Sequence, residues 1–214
     1  MQIKTAYGPA EAVLDGPARA GLLLVLTHGA GGGVDSADLL AARDAGLSAG
    51  GAVARVLQPY RVRGARAPGS PQRQDEAWLE IIAALRRRYK RVPLVQGGRS
   101  NGARVACRTA SAAGATAVLA LAFPLHPPGR PDKSRADELR AAGVNVLVIN
   151  GDRDPFGIPD PADAARVVVL PGQTHALSGT GRQIEREVSA WLGAVLADGR
   201  GVSSATIGTS ARRA

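Results

Sequence analysis

Residues 92 to 107 read Val92-Pro-Leu-Val-Gln-Gly-Gly-Arg-Ser-Asn-Gly-Ala-Arg-Val-Ala-Cys107. An apolar run enters the turn Gly98-Arg99-Ser100-Asn101-Gly102 and leaves it as a helical pattern. In a G-x-S-x-G turn between strand and helix the serine sits at a strained corner. Small residues two places to either side let neighbouring backbones pass closely and lift its hydroxyl clear. That geometry suits covalent catalysis. A chain with 27 glycines produces such a pentapeptide by chance, so the surrounding sequence must carry the reading.

Working outward from the turn, short apolar runs alternate with helical patterns. The runs are Gly21 to Leu26, Val53 to Gln58, Val92 to Gln96, Ala117 to Phe123, Val144 to Asn150 and Val167 to Leu170. Runs apolar on both faces and separated by amphipathic segments predict a parallel sheet covered by helices on each side. A weaker strand pair is expected before residue 16. Trp78, Ile81, Ile82, Leu85 and Tyr89 share one helical face behind Pro71, and Ile184, Val188, Trp191, Leu192 and Val195 share another. Both tryptophans therefore belong to the core. Arg86, Arg87 and Arg88 with Lys90 and Arg91 complement the carbonyl end of the first of these helices.

At 214 residues the chain is expected to form one domain over residues 1–197, with residues 198–214 a disordered tail. The single cysteine, Cys107, excludes an internal disulfide, and no zinc-type spacing occurs. No apolar run reaches the length of about 18 residues that suggests a membrane span. A cytoplasmic protein bound to no membrane is the expectation. The net charge of +9 raises the question of nucleic acid. Its arginines are scattered and aromatic residues are scarce, so no nucleic-acid partner is expected.

Ser100 needs a base, and the base needs a carboxylate to orient it. His28, His126 and His175 each follow a strand and could lie at the carboxyl edge of the sheet, where sites form. The chain order of nucleophile, acid and histidine that accompanies this kind of elbow selects His175. The acid should follow the strand ending at Asn150. Asp154, backed by Pro155, is favoured there over Asp152. Oxyanion donors are expected from the backbone amide of Asn101 and from the loop Thr27-His-Gly-Ala-Gly-Gly-Gly33. Ala30 is favoured in that loop and Gly31 comes next. The loop lacks the spacing of a phosphate cradle or a dinucleotide site, and His28 reads as a residue that shapes it.

Four segments together, Thr27 to Gly33, Gly97 to Arg104, Phe123 to Gly129 and Gly151 to Gly157, give the chain a family resemblance. It resembles the α/β-hydrolase superfamily, and within it the small bacterial branch related to dienelactone hydrolases. That branch is itself similar to a hydrolase-like regulatory subunit of a histone acetyltransferase complex. The likeness runs from about residue 20 to residue 195. It implies an α/β-hydrolase fold with no separate lid domain and a serine triad of Ser100, Asp154 and His175. Asn101 and Ala103 stand where relatives often carry methionine and glycine, and neither change removes a needed group.

The expected activity is a serine hydrolase cleaving esters, thioesters or lactones of small polar or acidic molecules. No metal or cofactor is called for. Arg61 and Arg99 are candidates to receive a substrate carboxylate, and His126 is a candidate substrate contact. Each could instead be bound to the scaffold. The alternative function is a non-catalytic module that kept the hydrolase scaffold.

Overall fold

A computed structural model describes residues 1–205, with residues 199–205 as backbone alone. An antiparallel pair, β1 (Gln2–Thr5) and β2 (Gly8–Asp15), opens the chain. Six parallel strands follow: β3 (Leu23–Thr27), β4 (Ala52–Leu57), β5 (Leu94–Arg99), β6 (Ala117–Leu121), β7 (Asn145–Gly151) and β8 (Arg166–Leu170). They form one sheet in the order β1-β2-β4-β3-β5-β6-β7-β8, with β2 antiparallel to β4. The helices are α1 (Ala37–Ser48), α2 (Pro59–Val62), α3 (Pro71–Arg88), α4 (Asn101–Ala113), α5 (Ala136–Arg140) and α6 (Gly181–Ala205).

The two-faced apolar pattern of the central strands decides the layering. Along β3, Leu23 and Val25 join the core shared with Trp78 and Ile81 of α3 and Val105 of α4. Leu22, Leu24 and Leu26 point the other way, into the core shared with Leu39 of α1 and Ile184 and Val188 of α6. Alternation of side chains along a strand thus delivers one apolar set to each helical layer. Trp78 and Trp191 are both buried, as the helical stripes predict.

α3 starts with Pro71 at its first position and with the Ser70 hydroxyl accepting from Arg73 N at 3.4 Å; it ends in Arg86, Arg87 and Arg88. α6 continues past the expected domain end at residue 197 and reaches Ala205. The weakly apolar sequence from Asp198 contains no proline, and extending a formed helix avoids the cost of nucleating one. The remainder of the expected tail, residues 206–214, lies outside the described residues. Among the described residues no helix is long and apolar enough to cross a membrane.

One buried polar link ties the helices around the elbow to its strand. Gln96 of β5 accepts from Trp78 Nε1 at 3.0 Å and donates to Ala106 O at 2.6 Å and Thr109 Oγ1 at 3.0 Å. Replacing Gln96 with leucine leaves the Trp78 indole N–H and the Ala106 carbonyl without this partner. A buried unsatisfied group costs about 1–3 kcal/mol, so Gln96→Leu is expected to lower unfolding stability by about 2 kcal/mol in urea titrations. A variant as stable as the parent would mean the link is not holding α3 and α4 to β5.

Candidate active site

Ser100 lies between β5 and α4, at the N-cap of the helix, with φ 52° and ψ −117°, a backbone conformation that L-residues rarely adopt. Its N–H donates to Leu121 O of β6 at 2.8 Å, which anchors the corner to the next strand. The flanking glycines are required by close approach. A Cβ on Gly98 would stand 2.5 Å from Thr27 O, and one on Gly102 would stand 2.7 Å from both Thr27 O and His28 O. The end of β3 therefore lies directly against the elbow.

His175 Nε2 lies 2.9 Å from Ser100 Oγ, and His175 Nδ1 lies 2.8 Å from Asp154 Oδ2. The three side chains expected to form a triad thus stand in hydrogen-bonded series. Asp154 Oδ1 also accepts from Phe156 N at 2.9 Å, and its side chain is buried, whereas Asp152 is exposed. Buried Asn150 supports the loop from behind. It accepts from Phe123 N at 2.8 Å and donates to Phe123 O at 3.0 Å and Gly157 O at 3.2 Å. The Phe156 ring packs against the His175 imidazole, centroids 4.3 Å apart.

The glycine-rich loop after β3 is held at its carbonyls. The Gln58 N–H donates to His28 Nε2 at 3.0 Å, so the imidazole proton sits on Nδ1 and is donated to Gly29 O at 2.8 Å. Tyr60 Oη donates to Ala30 O at 2.9 Å, and Arg61 Nε donates to Gly32 O at 2.9 Å. A Cβ on Gly29 would stand 3.3 Å from Ser100 Cβ, which places this loop beside the hydroxyl. Burial, reinforced by the Arg61 cation, pushes the His28 pKa down to about 4 against the bond to Gly29 O. His28 is neutral and shapes the loop.

Arg61, Arg99 and His126, the candidate substrate contacts, each bind the scaffold. Arg61 binds Gly32 O and, through Nη1, Ala65 O at 3.1 Å. Arg99 Nε pairs with Asp38 Oδ2 at 2.7 Å, and its Nη2 donates to His175 O at 2.7 Å. The guanidinium beside Ser100 thus joins α1 to the histidine loop. His126 Nδ1 donates to Pro127 O at 2.8 Å, and its ring rests on Gly157 behind the Asp154 loop. In each case a scaffold acceptor takes part of the side chain's hydrogen-bonding capacity, the alternative that the sequence left open.

Tyr60, Gln74 and Phe156 were not anticipated at the site. Gln74 Oε1 accepts from Asn101 Nδ2 at 2.7 Å. Its signal in the sequence is a glutamine four residues before Trp78, on the apolar stripe of α3. Phe156 was signalled by its place two residues after the acid. No group of His, Cys, Asp and Glu among the described residues could hold a metal ion.

Asp38 is 2% exposed, so Arg99→Ala leaves a buried carboxylate without its cation. Such a break costs about 3 kcal/mol or more, and the same substitution in an Asp38→Asn background should cost far less; equal losses in denaturant titrations would refute the pairing. For His28 the unfolded chain takes up a proton near pH 6.5 that the folded chain refuses down to about pH 4. The unfolded state binds more protons across that window, so stability falls as pH falls through it. Between about pH 7 and about pH 4.5 the parent should lose about 2 kcal/mol more than His28→Asn does. Parallel urea midpoints for the two proteins would contradict this.

Comparison with known proteins accords with the geometry. A family model described as an alpha/beta hydrolase domain matches residues 20–179. No curated protein gives a significant match. Among solved structures, an alpha-beta serine hydrolase homologue from Coxiella burnetii superposes with a TM-score of 0.75 at 16% identity, covering 90% of this chain and 96% of that one. A lid-less alpha/beta serine hydrolase from Xanthomonas campestris gives 0.66 at 20% identity, covering 87% and 93%. A dienelactone hydrolase from Anabaena variabilis gives 0.70 at 18% identity, covering 89% and 94%. With three quarters of its length inside the family model and the fold to match, the chain belongs to the alpha/beta hydrolase domain family.

Proposed function

We propose that this protein is a serine hydrolase that cleaves esters, thioesters or lactones of small polar or acidic molecules through an acyl-enzyme on Ser100. The observation that carries the reading is the series Ser100 Oγ, His175 Nε2, His175 Nδ1, Asp154 Oδ2, with steps of 2.9 and 2.8 Å, built on a strained elbow. A retired site has no physical need to keep all of these parts aligned.

The chemistry runs from that series. With Nδ1–H donated to Asp154, His175 Nε2 is free to accept the Ser100 proton as Oγ attacks the carbonyl carbon. The carbonyl π electrons move onto oxygen, and the amides of Ala30 and Asn101 are assigned to receive that oxyanion. Asn101 opens α4, where the first N–H groups have no partner within the helix and face the positive end of its dipole. Collapse of the tetrahedral species expels the alcohol or thiol, which takes its proton from the His175 imidazolium. Water then repeats the sequence on the acyl-enzyme, with His175 as base and then acid.

The preference for acidic groups is supported by Arg66. Its Nε lies 3.9 Å from where a Gly31 Cβ would stand, and the side chain is exposed. Among the described residues it has no carboxylate partner. A guanidinium fork at the rim of the glycine loop suits a planar anion.

Ser100→Ala is expected to lower kcat/KM on 4-nitrophenyl acetate by about 10⁴-fold or more and to abolish labelling by a fluorophosphonate probe, with the unfolding midpoint little changed. Unlabelled Ser100 in folded parent protein, or hydrolysis that survives the substitution, would sink the proposal.

A further inference from the structure

The side chains of Ser100, His175 and Asp154 hold one another, but a side chain is no better placed than the backbone that carries it. Ser100 N–H is fixed on Leu121 O, and Asp154 N–H donates to Gly151 O at 3.3 Å. His175 lies in the loop between β8 and α6, in a turn closed by Leu177 N–H donating to Thr174 O at 3.1 Å. Among the described residues the main chain of His175 itself makes one hydrogen bond, and Arg99 supplies it, from Nη2 to the carbonyl at 2.7 Å.

Arg99 can hold that carbonyl only if it is itself held. Its Nε donates to Oδ2 of buried Asp38 at 2.7 Å, a charge-assisted bond. Asp38 stands in the first turn of α1, where its Oδ1 accepts from Leu39 N at 2.9 Å and the helix dipole favours a carboxylate. α1 packs through Leu39, Ala42 and Ala45 into the core that also holds Ile184 and Val188 of α6. Arg99 Nη1 lies against the glycine loop, 3.4 Å from where a Gly29 Cβ would stand, so the guanidinium has little room to turn. A planar fork between two acceptors carries the position of one to the other.

We infer that Arg99, oriented by Asp38, is a positioning residue for His175: it fixes the histidine main chain, and with it the aim of Nε2 at Ser100 Oγ. The role rests on the serine-hydrolase reading above for its effect on turnover, but not for its effect on the imidazole. A misplacement of about 1 Å at a reacting group costs about 10²-fold in rate. His175 serves as base and acid both in forming the acyl-enzyme and in hydrolysing it, so both halves slow together and KM is unmoved. A residue that received a substrate carboxylate would behave otherwise, raising KM for acidic esters alone.

Arg99→Ala in the Asp38→Asn background removes the bridge without stranding a buried charge. The full chain is assayed on 4-nitrophenyl acetate and on the mono-4-nitrophenyl ester of adipic acid. The double variant is expected to show kcat about 10²-fold below the parent on both esters, with KM within about twofold. Arg99→Gln in the same background fills more of the vacated space but is too short to reach the His175 carbonyl, so the same result is expected of it should the alanine variant not fold. Long-range proton–nitrogen NMR reads the imidazole directly. The bond to Asp154 keeps the parent's His175 proton on Nδ1, and in the double variant the proton should divide between Nδ1 and Nε2. A pair that served stability alone would leave the folded double variant with the parent's kcat, and that result overturns the proposal. A loss confined to the acidic ester overturns it too, by making Arg99 a substrate contact. If the parent hydrolyses neither ester, the tautomer decides: a divided proton in the double variant keeps the positioning role while the serine-hydrolase reading falls, and an unchanged one removes both.

Discussion

The site depends on one close approach, that of the end of β3 to the elbow. The carbonyls of Thr27 and His28 press so near Gly98 and Gly102 that neither position has room for a Cβ. Contact at this distance fixes the height of the glycine loop relative to Ser100, because Thr27 pairs with Gly98 in register. The unfavourable backbone angles of Ser100 cost about 1–3 kcal/mol. They are held by the bond to Leu121 O and by a corner whose flanking strands are buried on both faces. Strain at Ser100 is thus carried by a fully buried part of the sheet.

Around that corner the arginines act as struts. Arg99 spans Asp38 and His175 O, Arg104 forks onto Glu138 at 2.8 and 2.6 Å, and Arg108 forks onto Asp75 at 2.8 and 2.6 Å. The last two tie α4 to α5 and α3. A planar guanidinium can satisfy two acceptors at once with little added loss of freedom, which makes it suited to joining elements that meet at odd angles. The basic composition is in part this internal framework. His28 conforms to the same field: a proton on it would sit buried beside the Arg61 cation, and its low pKa keeps it neutral.

The strands, the layering and the serine, acid and histidine were legible in the sequence because each leaves a local mark: alternation, small residues around a serine, or order along the chain. The fates of Arg61 and Arg99 leave none. Gly32, which Arg61 Nε binds, and Asp38 and His175, which Arg99 binds, lie far away in sequence, and a long flexible side chain takes whichever acceptor the fold brings near. α1 was equally silent, since its buried face is largely Ala41, Ala42, Ala45 and Gly46 and carries little amphipathic contrast. Gln74 and Gln96 did leave a mark, as amides in otherwise apolar stripes. A polar side chain at a core position implies a buried partner, and these two proved to be links between the elbow and α3.

The hydrogen bonds of the glycine loop bear on how an oxyanion would be received. A trans peptide is planar and its C=O and N–H point in opposite directions, so fixing one fixes the other. His28 Nδ1 and Gly32 N both donate to Gly29 O, at 2.8 and 3.0 Å, which sets the direction of the Ala30 N–H. Tyr60 at Ala30 O sets the Gly31 N–H in the same way. Rotating either peptide would forfeit these bonds, one of them to a buried imidazole with nowhere else to donate. The donors assigned to the oxyanion are therefore aimed before any substrate arrives. Electrostatic stabilisation of a transition state is greatest when the dipoles need not reorganise as charge develops, so under the proposed function a buried neutral histidine and a tyrosine would serve by holding carbonyls that face away from the reaction.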